Sequence, residues 1–324
     1  MNSSHDPAFS SEQHLELATL RSAYEVGAFN KAAYSREIWK IHQRLFEYSG
    51  FLGNTNITAI EITQEGVFFR LRNPELKLWC TPNDQRHVAV TSLNFRDYES
   101  HEIGAVLRIL KACNTIFDIG ANVGLYSIAI GQRFPDSKVI AFEPVPATYR
   151  ELQRNLVLNG IANVTTLNQG LSDRSCDAPF YFDPTVSVAA SGAPLGGEFG
   201  ATEILTCLVE TLDGFVDRTG IVPDFIKCDV EGGELRVFRG AVKTLERSKP
   251  IVFTEMLRKW AARFEYHPND IIALFRGIGY ECFVLSDGLL RPFPEMTENT
   301  VETNFFFLHI QRHIEMVRFL GLLA

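Results

Sequence analysis

The sequence predicts an α/β fold built on a mostly parallel sheet, and two observations carry that prediction. From about residue 115 onwards, short β-rich runs alternate with segments whose apolar residues recur three and four positions apart. The first run, "TIFDIG", leads through a glycine-bearing turn into a helical pattern over 123–133. Because parallel strands need a crossover between them, strands that alternate with helices at this spacing indicate a parallel sheet.

The strands expected in this sheet are short and apolar. In chain order they are "TIFDIG", "KVIAFEP", "NVTTLNQG", "PDFIKCDV", "KPIVFTEM", "GYECFVL" and "NFFFLHI". Helices are expected over 123–133, 146–158 and 233–246, and a last short helix runs to residue 324. The stretch 183–202, rich in Gly, Ala and Ser, breaks the alternation and is predicted to be a long loop. It is either a lid over a substrate or a disordered insertion.

Residues 1–97 are predicted to form an N-terminal region distinct from a sheet domain over 98–324. Helical spacing covers 12–48, and three β-rich runs within 56–92 predict a small meander. A helix over 100–111 then leads into the sheet. The N-terminal helices either pack on the core or contact a second subunit, so a homo-oligomer remains open.

Composition predicts a soluble, cytoplasmic protein. At 46% hydrophobic and 22% charged residues the chain can bury a sizeable core. The formal charge of −8, with no run of basic residues, argues against nucleic acid as a partner. The six cysteines are scattered, which is typical of reduced core thiols. No signal peptide and no apolar stretch long enough for a bilayer is apparent, so no membrane partner is expected.

The loop after the first strand predicts a nucleoside site. It begins at Asp118 and contains Gly120 and Gly124, which allow close backbone approach and helix packing. The dinucleotide pattern G-x-G-x-x-G is absent, and a carboxylate at Asp118 would repel a pyrophosphate. S-adenosylmethionine carries an ammonium and a sulfonium and no phosphate, so it suits this loop better. Glu143-Pro144 ends the next strand, where a carboxylate can accept both ribose hydroxyls.

The motifs "FDIGANVGLYSIAI", "AFEP", "DFIKCDVEGGELRVFRGA" and "NFFFL" resemble the FkbM family of S-adenosylmethionine-dependent methyltransferases. The similarity extends over 98–308, and "IKCDVEGGE" is its most diagnostic piece. The resemblance implies a Rossmann-like class I methyltransferase sheet of seven strands with an antiparallel last strand. It also implies mostly O-methylation of sugars and natural-product hydroxyls.

The resemblance further assigns the cofactor-binding residues. Asp118, Gly120 and Asn122, with Ala121 and Gly124 in the same loop, would surround the methionine moiety. Glu143, followed by Pro144, would bind the ribose, and Leu171 and Ser172 would lie beside the adenine. The alanine usual in "EGAE" is Gly233 here, and residues 1–95 are less typical of the family.

Three carboxylates at adjacent strand ends are the candidates for chemistry. Asp229 and Glu231 follow the fourth strand, and Glu255 ends the fifth. Neighbouring carboxylates raise one another's pKa, which suits one of them as a base for an acceptor hydroxyl. Alternatively, Asp229 holds the methionine end of the cofactor, and Glu231 and Glu234 only favour the positive N-terminus of the following helix. Mg²⁺ on Asp229 and Glu255 is possible but not favoured, and no metal site is predicted.

Other side chains are weaker candidates. His267 is the best-placed histidine for a base, ahead of His87 and His101. Tyr98 and Glu99 would reach the edge of the cofactor. Strand alternation is taken to turn Lys227 away from the neighbours of Asp229, and its role stays open.

We therefore expect an S-adenosylmethionine-dependent O-methyltransferase that acts on a hydroxyl of a sugar, glycoside or polyketide-like product. The β-rich segment 56–92 and the loop 183–202 would shape the pocket for this small-molecule or glycan acceptor. Two alternatives remain: a nicotinamide-dependent oxidoreductase on a related sheet, and a non-catalytic module of methyltransferase-like fold.

Overall fold

The computed structural model of the chain describes residues 16–110, 114–196, 202–286, 288–313 and 315. The chain divides into two compact units, one ending at Thr55 and one beginning at Asn56. The first unit contains the helices α1 (Glu16–Glu25), α2 (Lys31–His42) and α3 (Arg44–Phe51). Helices were predicted here from the spacing of apolar residues, and within the unit the rings of Tyr24 and Tyr34 stack with centroids 4.6 Å apart.

The second unit carries the sheets. Its strands are β1 (Ile57–Thr63), β2 (Gly66–Arg72), β3 (Glu75–Cys80), β4 (Thr115–Ile119), β5 (Lys138–Phe142), β6 (Val164–Leu167), β7 (Gly170–Leu171), β8 (Cys176–Asp183), β9 (Val186–Ser191), β10 (Glu203–Glu210), β11 (Phe225–Cys228), β12 (Ile251–Glu255), β13 (Tyr280–Ser286), β14 (Leu289–Pro292) and β15 (Asn304–His309). Its helices are α4 (Val88–Asn94), α5 (Ser100–Ile109), α6 (Leu125–Arg133), α7 (Pro146–Leu158), α8 (Leu212–Thr219), α9 (Glu234–Arg239), α10 (Val242–Ser248), α11 (Arg258–Ala261) and α12 (Asn269–Gly277).

The central sheet has the order β14-β13-β15-β12-β11-β4-β5-β6. Strands β6, β5, β4, β11 and β12 are parallel, and β15 pairs with β12 and β13 in antiparallel fashion. This confirms the predicted α/β class and the antiparallel last strand. The sheet has eight strands, however, because β14 pairs with β13 at the edge. The last predicted helix, up to residue 324, lies mostly outside the described residues.

A second sheet, in the order β7-β10-β8-β9, includes part of the predicted loop over 183–202. The loop prediction was wrong for 186–191, which form β9 and pair with β8. Residues 197–201 lie outside the described part of the chain. The helix predicted over 233–246 is also divided, into α9 and α10. A Cβ at the intervening Gly240 would lie 2.1 Å from the carbonyl oxygen of Ser172, so this close contact requires glycine.

The meander β1-β2-β3 was predicted, but it belongs to the second unit rather than to a region ending at residue 97. The reason lies in its bonds to α7. The backbone N–H groups of Lys77 and Trp79 each donate a hydrogen bond of 2.8 Å, to the Oδ1 atoms of Asn159 and Asn155 respectively. The guanidinium of Arg154 also lies 4.0 Å from the ring centroid of Trp79. The boundary therefore falls after Thr55.

The topology identifies one end of the central sheet as a ligand crevice. The chain order runs outward from β4 in both directions, to β5 and β6 on one side and to β11 and β12 on the other. In open α/β sheets, ligands bind at such a switch point, outside the carboxyl ends of the strands. The five cysteines within the described residues are free thiols, and no described helix is long and apolar enough to cross a membrane.

Candidate active site

A cavity of about 250 Å³ lies at the switch point of the sheet. Its walls come from the loop after β4, the ends of β5 and β11, and the second sheet. Of the residues predicted to bind a cofactor, it is lined by Gly120, Ala121, Asn122, Glu143, Pro144, Leu171, Ser172 and Asp229. Residues that the sequence analysis selected from four separate segments thus line one cavity.

The loop after β4 depends on Gly120. Its φ of 76° is a left-handed conformation, and a Cβ there would lie 1.8 Å from the carbonyl oxygen of Asp229. The N–H groups of Gly120 and Ala121 both donate to the carbonyl oxygen of Phe142, at 3.0 and 2.9 Å. These bonds tie the loop to the end of β5. The backbone of the loop can therefore approach a ligand closely.

Gly124 was expected to allow close helix packing and to belong to the cofactor site, and the structure supports the packing role alone. It has a φ of 97° and precedes α6, and a Cβ there would lie 2.6 Å from Cδ1 of Leu152 in α7. Gly124 is not among the residues that line the cavity. It allows α6 and α7 to pack closely, so its contribution to the site is indirect.

Glu143 is held in place by backbone groups at the end of β5. Its Oε2 accepts a hydrogen bond of 3.0 Å from the N–H of Asn122, and its Oε1 accepts one of 2.9 Å from the N–H of Val145. Burial raises the pKa of Glu143 to about 7, against the lowering effect of these two bonds. Each carboxylate oxygen keeps a lone pair for a further donor, which is the arrangement that a ribose diol requires.

Asp118 is fully buried and does not line the cavity. Its Oδ2 accepts a hydrogen bond of 2.6 Å from the hydroxyl of Ser127, and its Oδ1 lies 3.5 Å from Nζ of Lys227. Asp118, which the sequence predicted to contact the cofactor, therefore affects the cavity only through Ser127 and Lys227. The structure shows no direct route from Asp118 to a ligand.

Lys227 is the residue that sequence reasoning missed. Its Nζ donates a hydrogen bond of 2.7 Å to the carbonyl oxygen of Gly120 and lies 3.6 Å from Oδ2 of Asp229. The expectation that Lys227 points away from the neighbours of Asp229 was wrong, because residues two apart along a strand share a face. Burial opposes the charge of Lys227, but Asp229, Asp118 and Glu99 outweigh it and raise the pKa above its ordinary value.

The three carboxylates predicted for chemistry do converge. Asp229, Glu231 and Glu255 each place an oxygen within 4.8 Å of the others. Burial, followed by the charge of Asp229, raises the pKa of Glu231 and of Glu255 well above the ordinary value. The raised pKa values make Glu231 and Glu255 stronger proton acceptors than ordinary glutamates. The oxygens of the three carboxylates are also the ligand type of hard cations, although no histidine or cysteine joins the group among the described residues.

Tyr98 and Glu99 line the same cavity, beside the carboxylates. Burial raises the pKa of Glu99 to about 7, and the charge of Asp229 adds to this. Glu99 has a φ of 54° at the start of α5. Because its pKa is about 7, Glu99 is a further acid that is partly protonated at neutral pH, in a region where a cationic ligand group would be favourable.

Two of the remaining candidates have structural contacts instead. Glu234 is buried, and its Oε1 accepts hydrogen bonds from the N–H groups of Val230 and Gly232, at 3.0 and 3.1 Å. His267 is exposed and outside the cavity lining, and its Nδ1 accepts a bond of 3.2 Å from the N–H of Asn269. Glu234 thus shapes the turn before α9, and His267 lies at the entry to α12.

The fold and the cavity define an α/β protein with a crevice at its topological switch point and an acid at the end of its second parallel strand. Residues 118–282, half of the chain, match the family model of the methyltransferase FkbM domain. The chain therefore belongs to the FkbM methyltransferase family. The match begins at the buried acid of β4 and ends within β13.

Three curated relatives are similar to this chain. Methyltransferase sdnD of Sordaria araneosa is 31% identical over 153 residues, covering 39% of this chain and 59% of sdnD. The hexuronic acid methyltransferase AglP of Haloferax volcanii is 30% identical over 150 residues, covering 46% and 58%. The 31-O-demethyl-FK506 methyltransferase FkbM of Streptomyces tacrolimicus is 25% identical over 213 residues, covering 56% and 77%. The chain thus spans under two thirds of the first two relatives.

Proposed function

We propose that this protein is an S-adenosylmethionine-dependent O-methyltransferase acting on a hydroxyl of a sugar, glycoside or polyketide-like product. The observation that carries the proposal is Glu143, whose two oxygens are fixed by the N–H groups of Asn122 and Val145 at the cavity wall. An acid in this position, next to a loop without the dinucleotide glycine pattern, favours a nucleoside without a pyrophosphate. Family membership supports methyl transfer as the reaction.

The cavity residues fit each part of the proposed cofactor. Glu143 would accept the ribose hydroxyls, and Leu171 and Ser172 would flank the adenine. Gly120 and Asn122 would approach the methionine end, close to the carboxylates of Asp229 and Glu99. When bound, S-adenosylmethionine supplies an electrophilic methyl group next to a positive sulfur. Carboxylates at this end stabilise that charge in a partly buried site.

The acid cluster would serve the acceptor. Methyl transfer to an alcohol requires the hydroxyl to be held close and its proton to be removed. Asp229 and Glu231 line the cavity, and Glu255 lies against them, with the pKa values of both glutamates raised by burial and by Asp229. We assign the proton acceptor to this cluster rather than to His267, which is exposed outside the cavity. The second sheet, through Ala190 and Gly192, would bound the acceptor.

The relatives support the acceptor class. One is named for methylation of a hexuronic acid and another for the 31-O position of FK506, a sugar acid and a natural product respectively. Both are small-molecule or glycan acceptors with hydroxyl groups. The oxidoreductase alternative has no support from the loop, which lacks the pyrophosphate pattern.

Calorimetric titration with S-adenosylhomocysteine, and with NAD in parallel, tests the cofactor assignment. We expect S-adenosylhomocysteine to bind with a Kd of about 1 μM and NAD not to bind. Glu143→Ala should weaken binding by at least about tenfold, because it removes both ribose contacts. Glu246→Ala, an exposed acid of α10, is the matched control and should bind as the wild type does.

Binding of NAD in place of S-adenosylhomocysteine would overturn the proposal and favour the oxidoreductase. Binding of S-adenosylhomocysteine without any transfer of a labelled methyl group to hydroxyl acceptors would favour the non-catalytic module. Transfer to an amine or a carbon would keep the cofactor and remove the O-methyl assignment.

A further inference from the structure

The cavity is lined by charged side chains of both signs. The acids are Glu143 at the end of β5, Glu99 at the start of α5, and Asp229 and Glu231 just after β11. Two arginines, Arg174 and Arg236, also line the cavity, but on different elements. Arg174 lies between β7 and β8 of the second sheet and is exposed, and Arg236 lies in α9 and is half-buried. The lining therefore offers cationic groups as well as carboxylates.

The two arginines belong to adjoining segments. The turn after α9 packs on the segment after β7, since a Cβ at Gly240 would lie 2.1 Å from the carbonyl oxygen of Ser172. Arg236 lies about one helical turn before Gly240, and Arg174 is two residues after Ser172. The guanidinium of Arg236 lies 4.9 Å from the ring centroid of Phe264, which also lines the cavity.

Neither arginine has a carboxylate partner in the described part of the chain. Every ion pair found there involves other residues. The third cation of the lining, Lys227, is already engaged by the carbonyl oxygen of Gly120 and by Asp118 and Asp229. Guanidinium groups that line a cavity and are not neutralised from within attract an anionic ligand group, which they bind through charge-assisted hydrogen bonds.

We propose that the acceptor carries an anionic group, a carboxylate or a phosphate, which Arg174 and Arg236 bind while its hydroxyl faces the acid cluster. The acceptor class is then a sugar acid or a sugar phosphate. This inference rests on the proposed methyltransferase function and specifies the acceptor of the same site. It also accounts for the orientation of the acceptor, because the acids repel the anionic end and the arginines attract it.

The cofactor itself is not the partner of these arginines. Its own carboxylate belongs to the methionine end, which the proposed function assigns to the loop at Gly120 and Asn122. Arg174 instead follows Leu171 and Ser172, the residues assigned to the adenine, which carries no negative charge. Loss of the arginines should therefore leave cofactor binding unchanged.

Three sugars that differ only at C6 provide the test: glucose, glucuronic acid and glucose 6-phosphate. Their Kd values are measured by calorimetry on protein saturated with S-adenosylhomocysteine. We expect at least one anionic sugar to bind about ten- to hundredfold more tightly than glucose. The preferred one of the two identifies the anionic group as carboxylate or phosphate. In the double variant Arg174→Gln with Arg236→Gln, the ratio of the Kd of glucose to the Kd of the anionic sugar should fall to near one.

Arg239→Gln is the matched control, because Arg239 lies on the same helix, is exposed and does not line the cavity. It should keep the preference. Equal binding of the three sugars, no binding of any, or a preference retained in the double variant each overturns the inference. So does weaker S-adenosylhomocysteine binding in the double variant, which would assign the arginines to the cofactor. If the wild type fails to bind S-adenosylhomocysteine, it is the proposed function that fails.

Discussion

Lys227 is a buried cation whose partners lie on two neighbouring strands and one loop. It lies 3.5 Å from Asp118 and 3.6 Å from Asp229, and it donates to the carbonyl oxygen of Gly120. Removing one partner of a buried charge pair leaves the other uncompensated, at a cost of about 3–5 kcal/mol. We therefore expect Lys227→Met to lower the free energy of unfolding by about that amount, measured by urea denaturation.

The carboxylate of Asp118 explains most of this loss, since it is fully buried. Adding Asp118→Asn to Lys227→Met removes the uncompensated charge and leaves an oxygen to accept from Ser127. The double variant should be more stable than the single one. A double variant no more stable than Lys227→Met, or a single variant as stable as the wild type, would contradict this account.

At the residue scale, the sequence indicated which side chains end a strand, but not how deeply a side chain inside a strand is buried. Glu143 was identified from its position after a clear strand, and it lines the cavity as expected. Asp118 was also taken as a ligand contact, although its burial directs it to Ser127 and Lys227. The alternation rule, correctly applied, puts Lys227 on the face of Asp229. The sequence could not show how deeply each side chain is buried, because burial depends on which strands lie on either side.

The loop after β4 is the element on which the candidate site depends most. Gly120→Ala would place a Cβ 1.8 Å from the carbonyl oxygen of Asp229 and strain a φ of 76°. We expect this variant to lose S-adenosylhomocysteine binding by more than about tenfold and to be destabilised by at least about 2 kcal/mol. Calorimetry and thermal unfolding measure the two effects.

Gly160→Ala is a control matched in backbone conformation. Its φ is 65°, but no atom lies within 4 Å of the added Cβ, so only the left-handed conformation contributes, about 1–2 kcal/mol. The control should keep full binding. Equal binding losses in both variants would show that strain alone, rather than contact with Asp229, governs the loop.

At the element scale, the parallel strands were predictable and the second sheet was not. The parallel strands are buried apolar runs between helices, a strong local signal. Strand β9 reads "VSVAAS", in which two valines stand among alanine and serine within a stretch rich in Gly, Ala and Ser, and it is a strand because β8 pairs with it. Strand β7 has two residues, and its partner β10 is far along the chain. Pairing of this kind is set by tertiary contacts that local patterns do not record.

Over the whole molecule, buried acids and buried histidines give stability opposite dependences on pH. Burial raises the pKa values of Glu99, Glu143, Glu151 and Glu234 to about 7. Above about pH 4.5 the folded state therefore binds more protons than the unfolded state. The stability that these protonated acids contribute is lost as pH rises through 7. Burial lowers the pKa values of His87 and His313 to about 4. Their contribution is lost as pH falls from 6.5 towards 4.

Above pH 6.5 the four acids outweigh the two histidines, which defines the window for a test. We expect Tm without cofactor to fall by about 2–6 °C between pH 6.5 and pH 8, measured by calorimetry.

Glu151 lies outside the cavity, and its Oε2 is 3.9 Å from Nε2 of His87. Glu151→Gln should therefore reduce the fall by removing one carboxyl group that must ionise in the folded state. Exposed Glu246→Gln should leave the fall unchanged. A Tm that rises across this window would contradict the raised pKa values, and an unchanged fall in Glu151→Gln would exclude Glu151 as a contributor.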